Sequence, residues 1–158
     1  SKGILSTHLH SEGKFAEKLM VEVPTSSCHP RVGPEMLTGA GSRLWPRMEG
    51  RYVFKHAVTR FPEVIQEALA ANGYTTDDLD LLIPHQANLR ISQFVAGGLN
   101  LPEEKVFNNI DRYGNTTAAS IPIALHEAVQ AGRVAPGALV CLAAFGAGFT
   151  WAAALMRW

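Results

Sequence analysis

Two uninterrupted apolar runs, Leu81-Leu82-Ile83 and Ala138-Leu139-Val140-Cys141-Leu142-Ala143-Ala144, constrain this chain more than any other feature. A strand with one wet face alternates apolar and polar residues, so a run that is apolar at every position must be covered on both faces. The segments between and before these runs carry a different period. Val53, Ala57, Phe61, Val64, Ile65, Ala68 and Leu69 recur at helical spacing, which predicts a helix over Tyr52–Ala71 closed by Asn72-Gly73. Leu89–Leu99 and Ile121–Ala131 read the same way, the second stopped by Gly132. Strands are expected over Leu79–Ile83, briefly at Val106-Phe107, and as a pair, Leu139–Phe145 and Phe149–Met156, around the glycines between them. Alternating strands and helices give an α/β layer structure with parallel strands at the continuous apolar runs. At the N-terminus, Gly3–Leu9 and Lys18–Val23 read as two strands joined by Ser11-Glu12-Gly13-Lys14, a hairpin in outline. From Pro24 to Pro46, with Pro30 and Pro34 between, no period is sustained, and a long loop over 24–46 is expected.

With 158 residues, 47% of them hydrophobic, the chain can bury one core, so residues 1–158 are read as one unit. Fourteen basic residues balance fourteen acidic ones, and no basic run interleaves with aromatics, which argues against a nucleic-acid groove. No apolar run approaches the roughly 18 residues of a membrane span, and SKGILSTHLH lacks the layout of a signal peptide. A cytoplasmic protein is expected, with both cysteines as thiols. The absence of a starting methionine points to a segment upstream or on another chain. Cys141 lies within an apolar run and reads as a small buried hydrophobe. Cys28 adjoins His29, but neighbours in an extended segment face opposite sides, so the pair makes a poor nucleophile and base, and a loop thiol is the simpler reading.

Polar residues at the strand ends carry the chemistry. In α/β sheets, ligands collect beyond the carboxyl ends of strands. His85 follows the run Leu81–Ile83 in LLIPHQAN; Asn115 lies in the loop DRYGNTTAAS ahead of a helix; Gly146-Ala147-Gly148 links two strands. Each has a plain structural alternative. His85 could be a satisfied core histidine, Asn115 a cap or turn residue, and the glycine-rich link only a hairpin. Converging, the three loops would supply an imidazole N–H, a carboxamide N–H and backbone N–H groups, the donors that an oxyanion or enolate needs.

The motifs PHQANLRI, DRYGNTTAASIP and AFGAGFTWAAALMRW, with ILSTHLHSEG and MEGRYVFKHAV ahead of them, resemble in order and spacing the C-terminal half of the 3-oxoacyl-acyl-carrier-protein synthase III family. The resemblance covers nearly the whole chain apart from Pro24–Pro46. It implies a thiolase-like fold, one half of an αβαβα layered architecture, and a decarboxylative Claisen condensation of an acyl thioester with a malonyl thioester. His85 and Asn115 match the family's two donors to the malonyl thioester carbonyl, and the backbone N–H of Ala147 matches a donor to the acyl carbonyl. Phe145 and Phe149 would keep the pocket dry, with Gly50, Phe54 and Asn88 along the substrate tunnel. Lys55 and Arg90 match basic positions near the tunnel mouth, where a carrier protein or CoA phosphate docks, although Lys55 could equally be a solvated surface charge. Gly97 and Gly98 stand where some relatives are basic, which thins that patch.

The family's cysteine nucleophile belongs to the N-terminal half, and neither Cys28 nor Cys141 occupies an equivalent place. The resemblance therefore implies, as partners, that N-terminal half and a second copy of the enzyme, with acyl-CoA and malonyl-ACP or malonyl-CoA as thioester substrates and no cofactor or metal. The loop over 24–46 would reshape the acyl pocket or the dimer surface. Two alternatives remain: a specialised enzyme of the same fold making a pyrone or long-chain ketone, and a non-catalytic partner subunit.

Overall fold

The computed structural model describes residues 2–23, 29, 31, 33–36 and 44–158. Its centre is a four-stranded sheet in the order β1-β6-β5-β4, formed by β1 (Gly3–Ser11), β4 (Leu81–Pro84), β5 (Leu139–Gly146) and β6 (Thr150–Arg157). β4 and β5 run parallel, and β1, β6 and β5 are antiparallel neighbours. The sheet is thus mixed, with one parallel pair where the two apolar runs meet. Beyond β4, Val106 makes a single parallel bridge to Leu82, with the Phe107 amide donating to the Leu82 carbonyl at 2.9 Å.

The N-terminal hairpin expected from the sequence does not form. β1 pairs along its length with β6, from Gly3 opposite Arg157 to Ser11 opposite Thr150. Residues Gly13–Lys18 make a 3-10 turn instead of a tight link, and the expected second strand shortens to β2 (Leu19–Met20), paired with β3 (Arg47–Met48). β6 offers eight residues of ladder, far more than the polar segment after β1 could, so the distant partner wins.

Helices cover the sheet unevenly. α1 (Gly50–Ala70) turns Val53, Ala57, Phe61, Val64, Ile65, Ala68 and Leu69 onto Leu139, Cys141, Ala143 and Phe145 of β5 and Ala153 and Leu155 of β6. Each large side chain fully buried here contributes about 1.5–3 kcal/mol. α2 (Leu89–Gly98) adds Val95 to this core and touches α1 near Pro62, where a Cβ on Gly98 would meet the proline ring at 3.5 Å. On the opposite face, α4 (Ser120–Gln130) packs Ala124 and Ala128 on Leu81, Ile83 and Val140. Continuous apolar runs were needed because β4 and β5 are covered from both sides. The β1–β6 part of that second face is left open. Leu9 is 74% exposed, and Ala144, Ala152 and Ala154 are only half-buried.

The helices expected from periodicity are all present with ends within two residues, and Cys141 is fully buried as expected. Cys28 and most of the loop over 24–46 lie outside the described residues.

Candidate active site

β4 and β5 end side by side, and the hydrogen-bond ladder continues one residue past β4: the His85 amide donates to the Ala143 carbonyl at 2.7 Å. That bond anchors His85 at the carboxyl edge of the sheet. Its ring is half-buried, and Nδ1 lies 2.6 Å from Oγ of Ser120, the first residue of α4. Burial holds the imidazole pKa below its ordinary 6.5, so the ring is neutral at physiological pH. Nε2 has no hydrogen-bond partner among the described residues.

Gln86, 3% exposed, locks the turn that follows. Its Nε2 donates to the Pro84 carbonyl at 2.7 Å and more weakly to that of Phe107 at 3.4 Å, while Oε1 accepts from the Asn109 amide at 3.0 Å. Asn109 leads into the short helix α3 (Ile110–Tyr113), and its Nδ2 donates to Glu127 of α4 at 2.8 Å. Arg112 and Tyr113 donate to the same carboxylate, which hydrogen bonding from Tyr113, then Asn109, holds below its usual pKa. The residues that bracket Asn115 are therefore fastened to both β4 and α4.

Asn115 itself is exposed, one residue after Gly114, whose φ of +66° turns the chain out of α3. Its Oδ1 accepts from the Thr117 amide at 2.9 Å, an Asx turn that fixes which end of the carboxamide is oxygen. Nδ2 has no partner among the described residues. Thr117 is held at φ +53°, a conformation that a β-branched residue adopts only where the surroundings impose it.

The link between β5 and β6 presents Ala147 at an exposed tip, with its carbonyl accepting from Thr150 Oγ1 at 3.2 Å. Behind it Phe149 is fully buried at φ +54°. Its ring contacts Phe15, Tyr52, His56 and Phe145 with centroids 5.1 to 5.9 Å apart, and its carbonyl accepts from the Glu12 amide at 2.9 Å. Phe145 is buried beside it. These two aromatics wall the sheet edge from inside, and Phe149 offers no open surface of its own.

Of the remaining residues singled out from sequence, Gly50 is the exposed first residue of α1. Phe54 is half-buried and meets Phe94 of α2 edge-to-face at 5.3 Å, leaving Phe94 57% exposed. Asn88 is the N-cap of α2, its Oδ1 accepting from the Arg90 amide at 2.9 Å. Lys55 and Arg90 are exposed on these two adjoining helices, and Gly97 and Gly98 lie at the end of α2. His85 and Asn115 are joined through Ser120 and the loop it ends. Phe54 and Lys55 lie on α1, and Asn88 and Arg90 at the start of α2. No cluster of three or more metal-ligating side chains is present among the described residues. Apart from the Gln86 bond to the Pro84 carbonyl, the side-chain partners that make Gln86, Asn109, Glu127 and Ser120 a frame are 14 or more positions away, which hides them in the sequence; only Ser120, in Ser-Ile-Pro at a helix start, carried a local signal.

Comparisons with known proteins place the sequence and the fold in one family. Residues 69–158 match the family described as 3-oxoacyl-[acyl-carrier-protein (ACP)] synthase III C terminal, which is more than half of the chain. A beta-ketoacyl-[acyl-carrier-protein] synthase III from Xanthomonas euvesicatoria pv. vesicatoria is 52% identical over 157 residues, covering 99% of this chain and 46% of that protein. Among solved structures, the synthase III of Thermus thermophilus superposes with a TM-score of 0.86 at 43% identity, covering 99% of this chain and 46% of that one. That of Aquifex aeolicus gives 0.83 at 43% identity, covering 98% and 44%. The chain thus spans about half the length of the relatives it matches, in their thiolase-like fold. No helix among the described residues is long and apolar enough to cross a membrane. With its motifs, its layers and the match over residues 69–158 in agreement, the chain belongs to the 3-oxoacyl-[acyl-carrier-protein] synthase III C-terminal family.

Proposed function

We propose that this chain is the enolate-stabilising half of an enzyme that condenses an acyl thioester with a malonyl thioester by decarboxylation. One observation carries the reading. In both His85 and Asn115 the fold occupies one polar atom, Nδ1 by Ser120 and Oδ1 by the Thr117 amide, and leaves the other nitrogen, Nε2 or Nδ2, without a partner among the described residues. Two such nitrogens, one on a neutral imidazole, would suit an oxygen that gains charge during reaction if the loop of Asn115 brings them together.

In this mechanism the malonyl thioester carbonyl accepts from Nε2–H and Nδ2–H. The bond between the malonyl α-carbon and its carboxylate breaks, CO₂ leaves, and the electron pair moves into the enolate whose oxygen faces the two donors. The enolate carbon then attacks the acyl carbonyl carried on a cysteine of the N-terminal half. The oxyanion formed there is received by the Ala147 N–H, and collapse of the tetrahedral adduct expels the thiolate. Atoms and electrons balance without a cofactor. Phe145, backed by the fully buried Phe149, closes the inner wall and limits water. Acyl-CoA and a malonyl group on carrier protein or CoA are the substrate classes, entering past Gly50, Phe54 and Asn88, with Lys55 and Arg90 at the mouth.

The open sheet face around Leu9, Ala144, Ala152 and Ala154 favours a further helical layer as its cover, since alanines let a helix approach closely. The N-terminal half, with the nucleophile, is the proposed cover, and the assembled enzyme a cytoplasmic homodimer. Intact-mass analysis of that enzyme after brief exposure to acyl-CoA tests the reading. An acyl adduct on the N-terminal half, discharged on adding malonyl thioester with release of CO₂, supports it. Failure to form or discharge the adduct refutes it.

A further inference from the structure

Ser120 stands at a point where one proton decides which nitrogen of His85 is a donor. Its Oγ lies 2.6 Å from Nδ1 of His85 and 3.3 Å from the amide nitrogen of Gln86, which points its N–H at the same oxygen. Ser120 is 2% exposed, so bulk water is kept from its hydroxyl. A neutral imidazole carries its proton on Nδ1 or on Nε2. If Nδ1 carried it, Oγ would accept from both His85 and Gln86, and the serine's own proton would have no acceptor among the described residues. Buried hydroxyl protons are rarely left in that state. If the serine donates to Nδ1, every group is satisfied: Gln86 N–H to Oγ, Oγ–H to Nδ1, and the imidazole proton on Nε2.

From this geometry we infer that Ser120 is a positioning residue whose hydroxyl holds His85 in the Nε2–H tautomer, aimed away from α4. The chain of contacts starts from a rigid place. The Gln86 side chain is itself tied to Pro84 and Asn109, and Ser120 is the first residue of α4, so the donor to Nδ1 is fixed by both β4 and α4. The tautomer assignment stands on the hydrogen bonds alone; its consequence for catalysis rests on the condensing function proposed above. There, Nε2–H is the proton that meets the malonyl carbonyl, and an imidazole with the other tautomer would present a lone pair to a developing negative charge.

The test uses the assembled enzyme labelled with ¹⁵N in histidine, in three forms: unsubstituted, Ser120→Ala and Ser120→Thr. In the unsubstituted enzyme, the His85 resonances should report an unprotonated Nδ1 and a protonated Nε2 at neutral pH. A proton on Nδ1 overturns the assignment whatever the activity. Ser120→Ala should shift the Nδ1 signal and lower malonyl decarboxylation about 10- to 100-fold, the size typical of losing a residue that orients a catalytic group. Ser120→Thr keeps the hydroxyl and should restore both signal and rate to within a few-fold. Acylation of the nucleophile, which does not use His85 in this scheme, reports whether each variant is folded. Decarboxylation at the unsubstituted rate in an acylating Ser120→Ala enzyme overturns the positioning role. An unsubstituted enzyme with the Nε2–H tautomer and no decarboxylation refutes the condensing function and leaves the tautomer assignment intact.

Discussion

Asn109 donates through Nδ2 to Oε2 of Glu127 at 2.8 Å, fastening the segment ahead of Asn115 to the middle of α4. Arg112 and Tyr113 converge on the same carboxylate, so Glu127 holds the segment before Asn115 in place. Glu127→Ala should lower decarboxylation while leaving the acyl-transfer half-reaction in place, because the loop loses its anchor and the sheet keeps its core. Measuring the two half-reactions separately checks this.

The same carboxylate makes the clamp sensitive to acid. Its folded pKa is lowered from 4.5, so between that lowered value and 4.5 the unfolded chain binds the proton more readily. The stability it contributes is complete above 4.5 and is lost as pH falls through the folded value. Hydrogen exchange of residues 109–117 should rise on acidification in that window, and Glu127→Gln should abolish the dependence.

Protonation of His85 would also end activity on the acid side. Burial lowers its pKa from 6.5, so the ring stays neutral to more acidic pH than an exposed histidine. Decarboxylation should therefore persist below pH 6.5, with its acid limb at the depressed value. Folding stability should decline as pH drops below 6.5, where the unfolded chain takes up the proton first. A rate profile that breaks at or above 6.5 contradicts the placement of this ring.

Gln86 tests the frame behind the site. Replacing it with leucine leaves the buried Asn109 amide without its acceptor and frees the Pro84 carbonyl, at a cost of about 2 kcal/mol or more. Chemical denaturation measures the loss directly.

How much of this could be read in advance depended on the range of the interaction. The helices and the buried strand ending at His85 were readable because period and end signals are local. β1 was readable as a strand but its partner was not, since nothing in the turn Ser11–Lys14 reveals that β6 supplies the ladder. His85 and Asn115 stood out by residue type and by family motif. Their supports did not, because the contacts that tie Ser120, Gln86 and Glu127 to other elements span 14 to 35 positions and the residues look like ordinary helix or loop residues. The buried, left-handed Phe149 was equally hidden, since Phe15, Tyr52 and His56, which enclose its ring, are distant in sequence.

Gly97 offers a test of docking. It lies in α2 with nothing within 4 Å of an added Cβ, so Gly97→Lys should stabilise the helix by up to about 1 kcal/mol. It should also strengthen the basic surface of Lys55 and Arg90, raising affinity for an acidic carrier protein. Titration of the variant with malonyl carrier protein at low and high salt measures both the gain and its electrostatic origin.

The most direct test of the central claim is CO₂ release from a malonyl thioester by the assembled enzyme, compared with His85→Ala and Asn115→Ala. Each substitution should lower release by about 10²- to 10³-fold while the nucleophile is still acylated. Release at the original rate in both variants, with acylation intact, would contradict the assignment of His85 and Asn115 as the enolate's donors.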